Sequence, residues 1–396
     1  MNHFRMFTDT PGINTIGYPT GRTWSRDGRS LFVESSRLCP DGTSHPGERQ
    51  LLNIDVADGK VTYLATLEAE DIAKYGQAHL SASSHYHTDY APLANVLVYF
   101  DMTGHNMYLL DTETGRSMRI LHEPEGTIAD PPSISTDGTR VVYYAFYPGI
   151  ENRLFTGRVS VIFALDVDPV KLEAVGEPRV VVAFPERKGP TYAENPRDKV
   201  HVNHCQIDPA NKEHIAYAHE FHNIGVDGSL LKTRLWQVMA DGTGNRPVIR
   251  QERGEGHTHE VFGPKGECLY FIDFWHQSVC GVDFQSGEKR VVFEAPGHFP
   301  NHITVSPDER WIAADTWADE GTDSHGNPMS GILLVDTQTG KQEVICRFPR
   351  GQKHPAHPHP SFSPDGKKIA FTLAAGPDSH VAVVGIGIGY QVLGER

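Results

Sequence analysis

Three imidazoles fall within six residues in the run His354-Pro355-Ala356-His357-Pro358-His359. If the chain from His357 to Phe362 is extended, side chains alternate between faces. His357 and His359 then point the same way, about 7 Å apart. Neutral imidazoles gathered on one face are half of a transition-metal site. A solvated His-Pro loop has the same composition, so the run needs support from elsewhere in the chain. Histidine supplies it, at 22 copies in 396 residues. Two of these copies, His257 and His259 in His257-Thr258-His259-Glu260, are candidates for general-base chemistry, because an imidazole has an unperturbed pKa close to neutrality. Arg234, in Thr233-Arg234-Leu235-Trp236, offers a fork that matches a carboxylate; a lone arginine is otherwise a surface residue.

The elements that would position these groups are short strands separated by one recurring turn. Ser25-Arg26-Asp27-Gly28, Ala91-Pro92-Leu93-Ala94, Ser135-Thr136-Asp137-Gly138, Ile207-Asp208-Pro209, Gly263-Pro264-Lys265-Gly266, Ser306-Pro307-Asp308 and Ser363-Pro364-Asp365-Gly366 each lead into an apolar strand. Pro, Asp and Gly fix the turn, and β-branched and aromatic residues fix the strand. A second hairpin follows each unit, as at Leu110-Asp111-Thr112-Glu113-Thr114-Gly115 and Val335-Asp336-Thr337-Gln338-Thr339-Gly340. Two hairpins make a four-stranded antiparallel sheet, and seven such sheets predict an all-β, seven-bladed β-propeller. The blades average about 57 residues, above the ~40–45 of compact propeller repeats, which leaves room for long loops. One domain over residues 1–396 is expected, closed by pairing the stretch near Ile13 to Tyr18 with the last blade around Val381 to Tyr390, and with its site in the central channel.

Counting back five residues from the turn proline gives His87, His204, His259, His302 and His359; in the two blades without that proline the position holds Gly21 and Pro131. Equivalent positions on innermost strands form a ring. His302, His357 and His359 come from consecutive blades and can converge on one ion, with His354 able to reach it from its loop. His259, one blade earlier, sits beside that cluster, whereas His257 lies outside the ring register.

Composition narrows the function classes. A formal charge of −14 opposes nucleic-acid binding, which needs a basic face. A local cation can still attract a small anion. No apolar run approaches the roughly 18 residues of a membrane span, and the start, Met1-Asn2-His3-Phe4-Arg5, has no signal-peptide pattern. The five cysteines are unpaired in spacing, which fits a reducing compartment, so a cytoplasmic location is expected. Neither a Gly-x-Ser-x-Gly elbow nor a phosphate-binding glycine loop is present.

Several motifs taken together resemble the oligogalacturonate lyases. They are His204-Cys205-Gln206-Ile207-Asp208-Pro209, His219-Glu220, Thr233-Arg234-Leu235-Trp236, Thr258-His259-Glu260, His302-Ile303-Thr304-Val305-Ser306-Pro307-Asp308 and His357-Pro358-His359-Pro360-Ser361-Phe362. The likeness is strongest from about His201 to Thr372. It implies a cytoplasmic seven-bladed propeller of pectin catabolism acting on an acidic oligosaccharide, with neither nucleic acid nor membrane as partner. It also implies a manganese ion held by His302, His357 and His359. The family's glutamine ligand falls on His354, and an imidazole there would shift preference toward a later transition metal. His259 takes the role of base and Arg234 that of carboxylate stabiliser, with His87 and His204 toward the substrate. The implied reaction is β-elimination to a 4,5-unsaturated uronate. The competing reading is a non-catalytic interaction propeller carrying a structural metal.

Overall fold

The computed structural model describes residues 4–8, 14–35, 49–67, 88–101, 105–124, 128–147, 155–187, 200–221, 233–252, 254–317, 320–350, 357–375 and 378–386. Every regular element among them is a β-strand, and the strands form seven antiparallel sheets. The fold is a seven-bladed β-propeller. Blade three carries a fifth strand beyond the expected four, because both Glu173–Ala174 and Arg179–Arg187 pair with its long strand Phe155–Asp168.

The recurring turn is held by its own side chains. In four blades the serine hydroxyl (Ser25, Ser135, Ser306, Ser363) donates to the aspartate two residues on, at 2.6–2.8 Å. The same oxygen accepts the backbone N–H five residues on, at 2.8–3.0 Å. The fourth turn residue needs a left-handed backbone, which glycine meets at Gly28, Gly138 and Gly366 (φ 67°, 75° and 68°). Glu309 adopts φ 60° in the same place in blade six.

The chain divides into two compact units. One is Met1–Leu67 with Phe271–Cys280 and Val291–Arg396; the other is Glu68–Tyr270 with Gly281–Arg290. In the first unit the apolar core lies between neighbouring sheets. Phe348, Phe362, Phe371 and Ile332 fill the space between blades six and seven, and Ile16, Leu31, Val381 and Val383 that between blades seven and one. In the second, Phe100, Tyr143 and Phe163 pack between blades two and three, and Val142, Ile162, Ile215 and Tyr217 between blades three and four.

The closure differs from expectation. Arg5 and Met6 supply the outermost strand of blade seven, opposite Val383 and Ala382. Asn14–Thr15 instead starts blade one, opposite Ser35 and Glu34. It meets blade seven without a strand ladder, through hydrogen bonds that involve side chains: Asn14 N–H to Ser379 Oγ at 3.0 Å, Asn14 Nδ2 to Ser379 O at 2.9 Å, and Ile16 N–H to Thr372 Oγ1 at 3.2 Å. The exposed pair Arg5-Met6 carries no apolar run, so the hydrophobic pattern pointed to the later segment.

Candidate metal centre and histidine clusters

His204, His259 and His302 lie on the first strands of their sheets (Val200–Ile207, His257–Phe262 and Pro300–Val305), and His359 precedes the first strand of blade seven, Ser361–Phe362. His87 and His354 lie outside the described residues. The shared five-residue offset has a structural cause. In blade four Asn203 pairs with Ala218 but Gln206 with Ala216, so three steps on one strand oppose two on the other. Blade three shows the same irregularity between Asp130 and Ser133, and blade six between Pro300 and Ile303. In blade seven, Thr372 N–H bonds Pro358 O and Ser361 pairs with Ala370, which is the same insertion. A bulge re-aims the side chain it carries. Two of the histidines pass through it left-handed, His204 (φ 49°) and His359 (φ 47°), and His259 in blade five has the same backbone (φ 51°). Such a backbone costs a non-glycine residue on the order of 1–3 kcal/mol, a strain that concentrates at functional sites.

In the first unit, His302, His357 and His359 come together. All three are buried, and one ring nitrogen of each lies within 4.8 Å of the others. The His302 and His359 ring centroids are 4.2 Å apart and nearly perpendicular; His357 lies 5.3 Å and 5.7 Å from them. Tyr18 closes one side, edge-on to His359 at 5.0 Å and to His302 at 5.7 Å. Asp315, fully buried on the neighbouring strand Trp311–Thr316, accepts the His302 backbone N–H at 2.6 Å and lies 2.9 Å from its Nδ1. With Nδ1–H donated to this carboxylate, Nε2 is the nitrogen turned to an ion, the usual carboxylate–histidine–metal arrangement. Burial pushes Asp315 up to about 7, opposed by the backbone N–H of His302 and the charge of His357. A dication on the imidazoles would draw the carboxyl back to its ionised form. Three convergent neutral nitrogens backed by a carboxylate fit a divalent transition metal with open positions.

In the second unit the ring histidine has different company. Arg234 is not a surface residue: it is 6% exposed, with Nε 3.1 Å from Glu260 Oε2. Its backbone is fixed by His219 N–H donating to Arg234 O at 2.8 Å, which continues the ladder between His214–Phe221 and Leu235–Met239. His204 Nδ1 lies 3.2 Å from both Glu260 Oε1 and Arg234 Nη2, donating to the first or accepting from the second according to its tautomer. Glu260 is fully buried; that burial alone would raise its pKa, but Arg234 and His204 hold the carboxylate down at about 2. His259 is half-buried on the same strand. His257, the rival base, opens this strand. It is 1% exposed, with Nε2 3.0 Å from Glu255, which also pairs with Lys289. A histidine committed to a buried ion-pair network is poorly placed to exchange protons with a ligand.

Sequence reasoning gave no role to Asp315, Glu260 or Tyr18. The first two had a readable signal, a single acid in each of the strands Trp311–Thr316 and His257–Phe262. Acids in such strands are seldom left unpaired.

Residues 193–384 match the family model of the oligogalacturonate lyases. That match takes in Arg234, Glu260, Asp315 and all three clustered histidines. The oligogalacturonate lyase of Dickeya dadantii (strain 3937) is 27% identical over 188 residues, 43% of this chain and 46% of the relative. The oligogalacturonide lyase of Pectobacterium atrosepticum is 25% identical over 186 residues, with the same coverage. The chain thus spans about half the length of the curated relatives it matches. Two solved oligogalacturonate lyase structures share the fold over nearly the whole chain. One, in complex with manganese, superposes with a TM-score of 0.72 at 19% identity, covering 98% of this chain and 94% of the other. The other, from Vibrio parahaemolyticus, gives 0.73 at 16% identity, covering 98% and 95%.

Proposed function

We propose that this protein is a metal-dependent carbon–oxygen lyase that cleaves oligogalacturonate by β-elimination, acting as one propeller domain. The observation that carries the reading is the buried triad of His302, His357 and His359 with Asp315 behind it, inside the segment that matches the lyase family. His302, His357 and His359 would hold the ion, manganese by likeness to the manganese complex. When bound, the ion supplies positive charge to the uronate carboxylate and so acidifies the proton at C5.

The rest of the chemistry belongs to side chains. Arg234, held by Glu260, presents a fixed guanidinium to the carboxylate, and its pre-set orientation spares the entropy of ordering a long side chain. His259 accepts the C5 proton on its imidazole. The electron pair of that C–H bond forms the C4=C5 double bond, and the C4–O4 bond breaks to release the preceding sugar, whose departing oxygen takes a proton from solvent. His204 borders the Arg234 pair and His87 occupies the same turn register, so both are assigned to substrate contact. The described cysteines are free and buried, which suits the cytoplasm as compartment. No helix among the described residues is long and apolar enough to cross a membrane.

The test is incubation of the manganese-loaded protein with oligogalacturonate, following the absorbance of the unsaturated uronate. Turnover that stops on chelation and returns with manganese is expected. A metal-loaded protein that yields no unsaturated product would return the chain to the class of non-catalytic propellers.

A further inference from the structure

Beside the three imidazoles lies an aromatic surface that the elimination chemistry does not use. Trp317 is 44% exposed and Trp275 58% exposed, although large indoles are usually well buried. Trp317 meets the His357 ring at a centroid distance of 6.0 Å and an angle of 75°. Phe274 packs against the same indole at 6.4 Å and 83°, and meets Trp275 at 5.3 Å and 82°. The backbone here is held as well. Trp317 N–H donates to Phe299 O at 3.0 Å, and Phe299 has φ 47°, an uncommon conformation for a bulky side chain. Trp317 follows Asp315 by two residues along this strand edge. The strand itself ends at Thr316, and the ring contact with His357 is what places the indole beside the histidines.

We propose that Trp317 is a sugar-stacking residue: it takes the C–H face of the uronate ring next to the one whose carboxylate meets the metal. The proposal rests on the lyase reading. A galacturonate ring with its axial O4 gathers C3–H, C4–H and C5–H on one face. These weakly positive hydrogens complement the negative face of an indole. Stacking also suits the charge problem, because a chain of net charge −14 repels a polyanion and gains from a contact that needs no cation. Phe274 and His357 both meet the indole before any sugar arrives, so less rotamer entropy is lost on binding.

The experiment compares wild type, Trp317→Ala and Trp317→Phe, all manganese-loaded, on trigalacturonate. Trp317→Ala should raise KM about fivefold, with kcat within about twofold and metal content unchanged; Trp317→Phe should recover most of the loss. An unchanged KM in Trp317→Ala, or a loss confined to kcat, overturns the proposal. If the wild type forms no unsaturated product, calorimetric titration with trigalacturonate decides instead. Affinity lost in Trp317→Ala and kept in Trp317→Phe then preserves the stacking site while the lyase reading falls. Equal affinities in the three proteins remove the stacking site too. Should the alanine variant not fold, Trp317→Gln takes its place.

Discussion

At His359 and at His204 the chain makes the same left-handed step, yet the two side chains arrive in opposite electrical surroundings. His359 joins two other imidazoles with one carboxylate behind them, a donor set rich in lone pairs. His204 joins Arg234 and Glu260, where a guanidinium and a carboxylate already balance each other at 3.1 Å. The bulge thus aims a side chain without deciding its chemistry. What decides it is the charge that neighbouring strands bring. Where they bring a lone acid to a group of histidines, the cluster can recruit an ion; where they bring an acid and an arginine, it needs none.

That contrast breaks first at His259, which belongs to the charge-balanced unit but carries the proposed proton transfer. His259→Ala should lower kcat by roughly 10²- to 10⁴-fold, the usual worth of a positioned base, with metal content unchanged. Loss of metal in this variant would mean that the two clusters are not separable. His257→Ala should instead leave most of kcat intact and lower thermal stability, since His257 is bound into the Glu255 pair.

Glu260 tests whether the second cluster is a closed pair. Glu260→Ala leaves Arg234 buried without its counter-charge and should cost about 3–5 kcal/mol in chemical denaturation. The pH dependence has a defined sign. The folded carboxylate titrates at about 2, below the ~4.3 of an unfolded glutamate. Its stabilisation is complete above the unfolded value and is lost as pH falls through the folded one. The gap in stability between wild type and Glu260→Gln should therefore narrow on acidification through that window; a constant gap would argue against ion pairing.

Asp315 is the matching probe of the first cluster. Asp315→Asn should weaken metal affinity 10- to 100-fold, by metal-buffered titration, and leave the Arg234 pair undisturbed. Metal should also dissociate as pH falls through the histidine range near ~6.5, because each ligand must be neutral to bind. The smallest effect is expected at His354, which lies outside the described residues. If it is a fourth nitrogen ligand, His354→Gln should shift the competition between zinc or nickel and manganese toward manganese. The same preference in both proteins would show that it does not coordinate.

The sequence by itself determined the repeat and singled out the three histidines that the structure gathers. Pro, Asp and Gly punctuation depends on local dihedral preferences and local hydrogen bonds, as Ser363 and Asp365 illustrate. The blades and the run His357 to His359 were legible for that reason. His302 was legible too, because a fixed offset from a turn survives even when a bulge intervenes. Only the tertiary structure decided the partners. The bulge at His204 and His359 breaks the period-two alternation on which any reading of faces depends. Asp315 stands thirteen residues from His302 and Glu260 fifty-six from His204, separations that no local pattern connects. Arg234 was legible as a candidate carboxylate binder, but its burial was not, because burial of a charge is set by the acid that meets it across strands, and that acid is chosen by the packing of sheets.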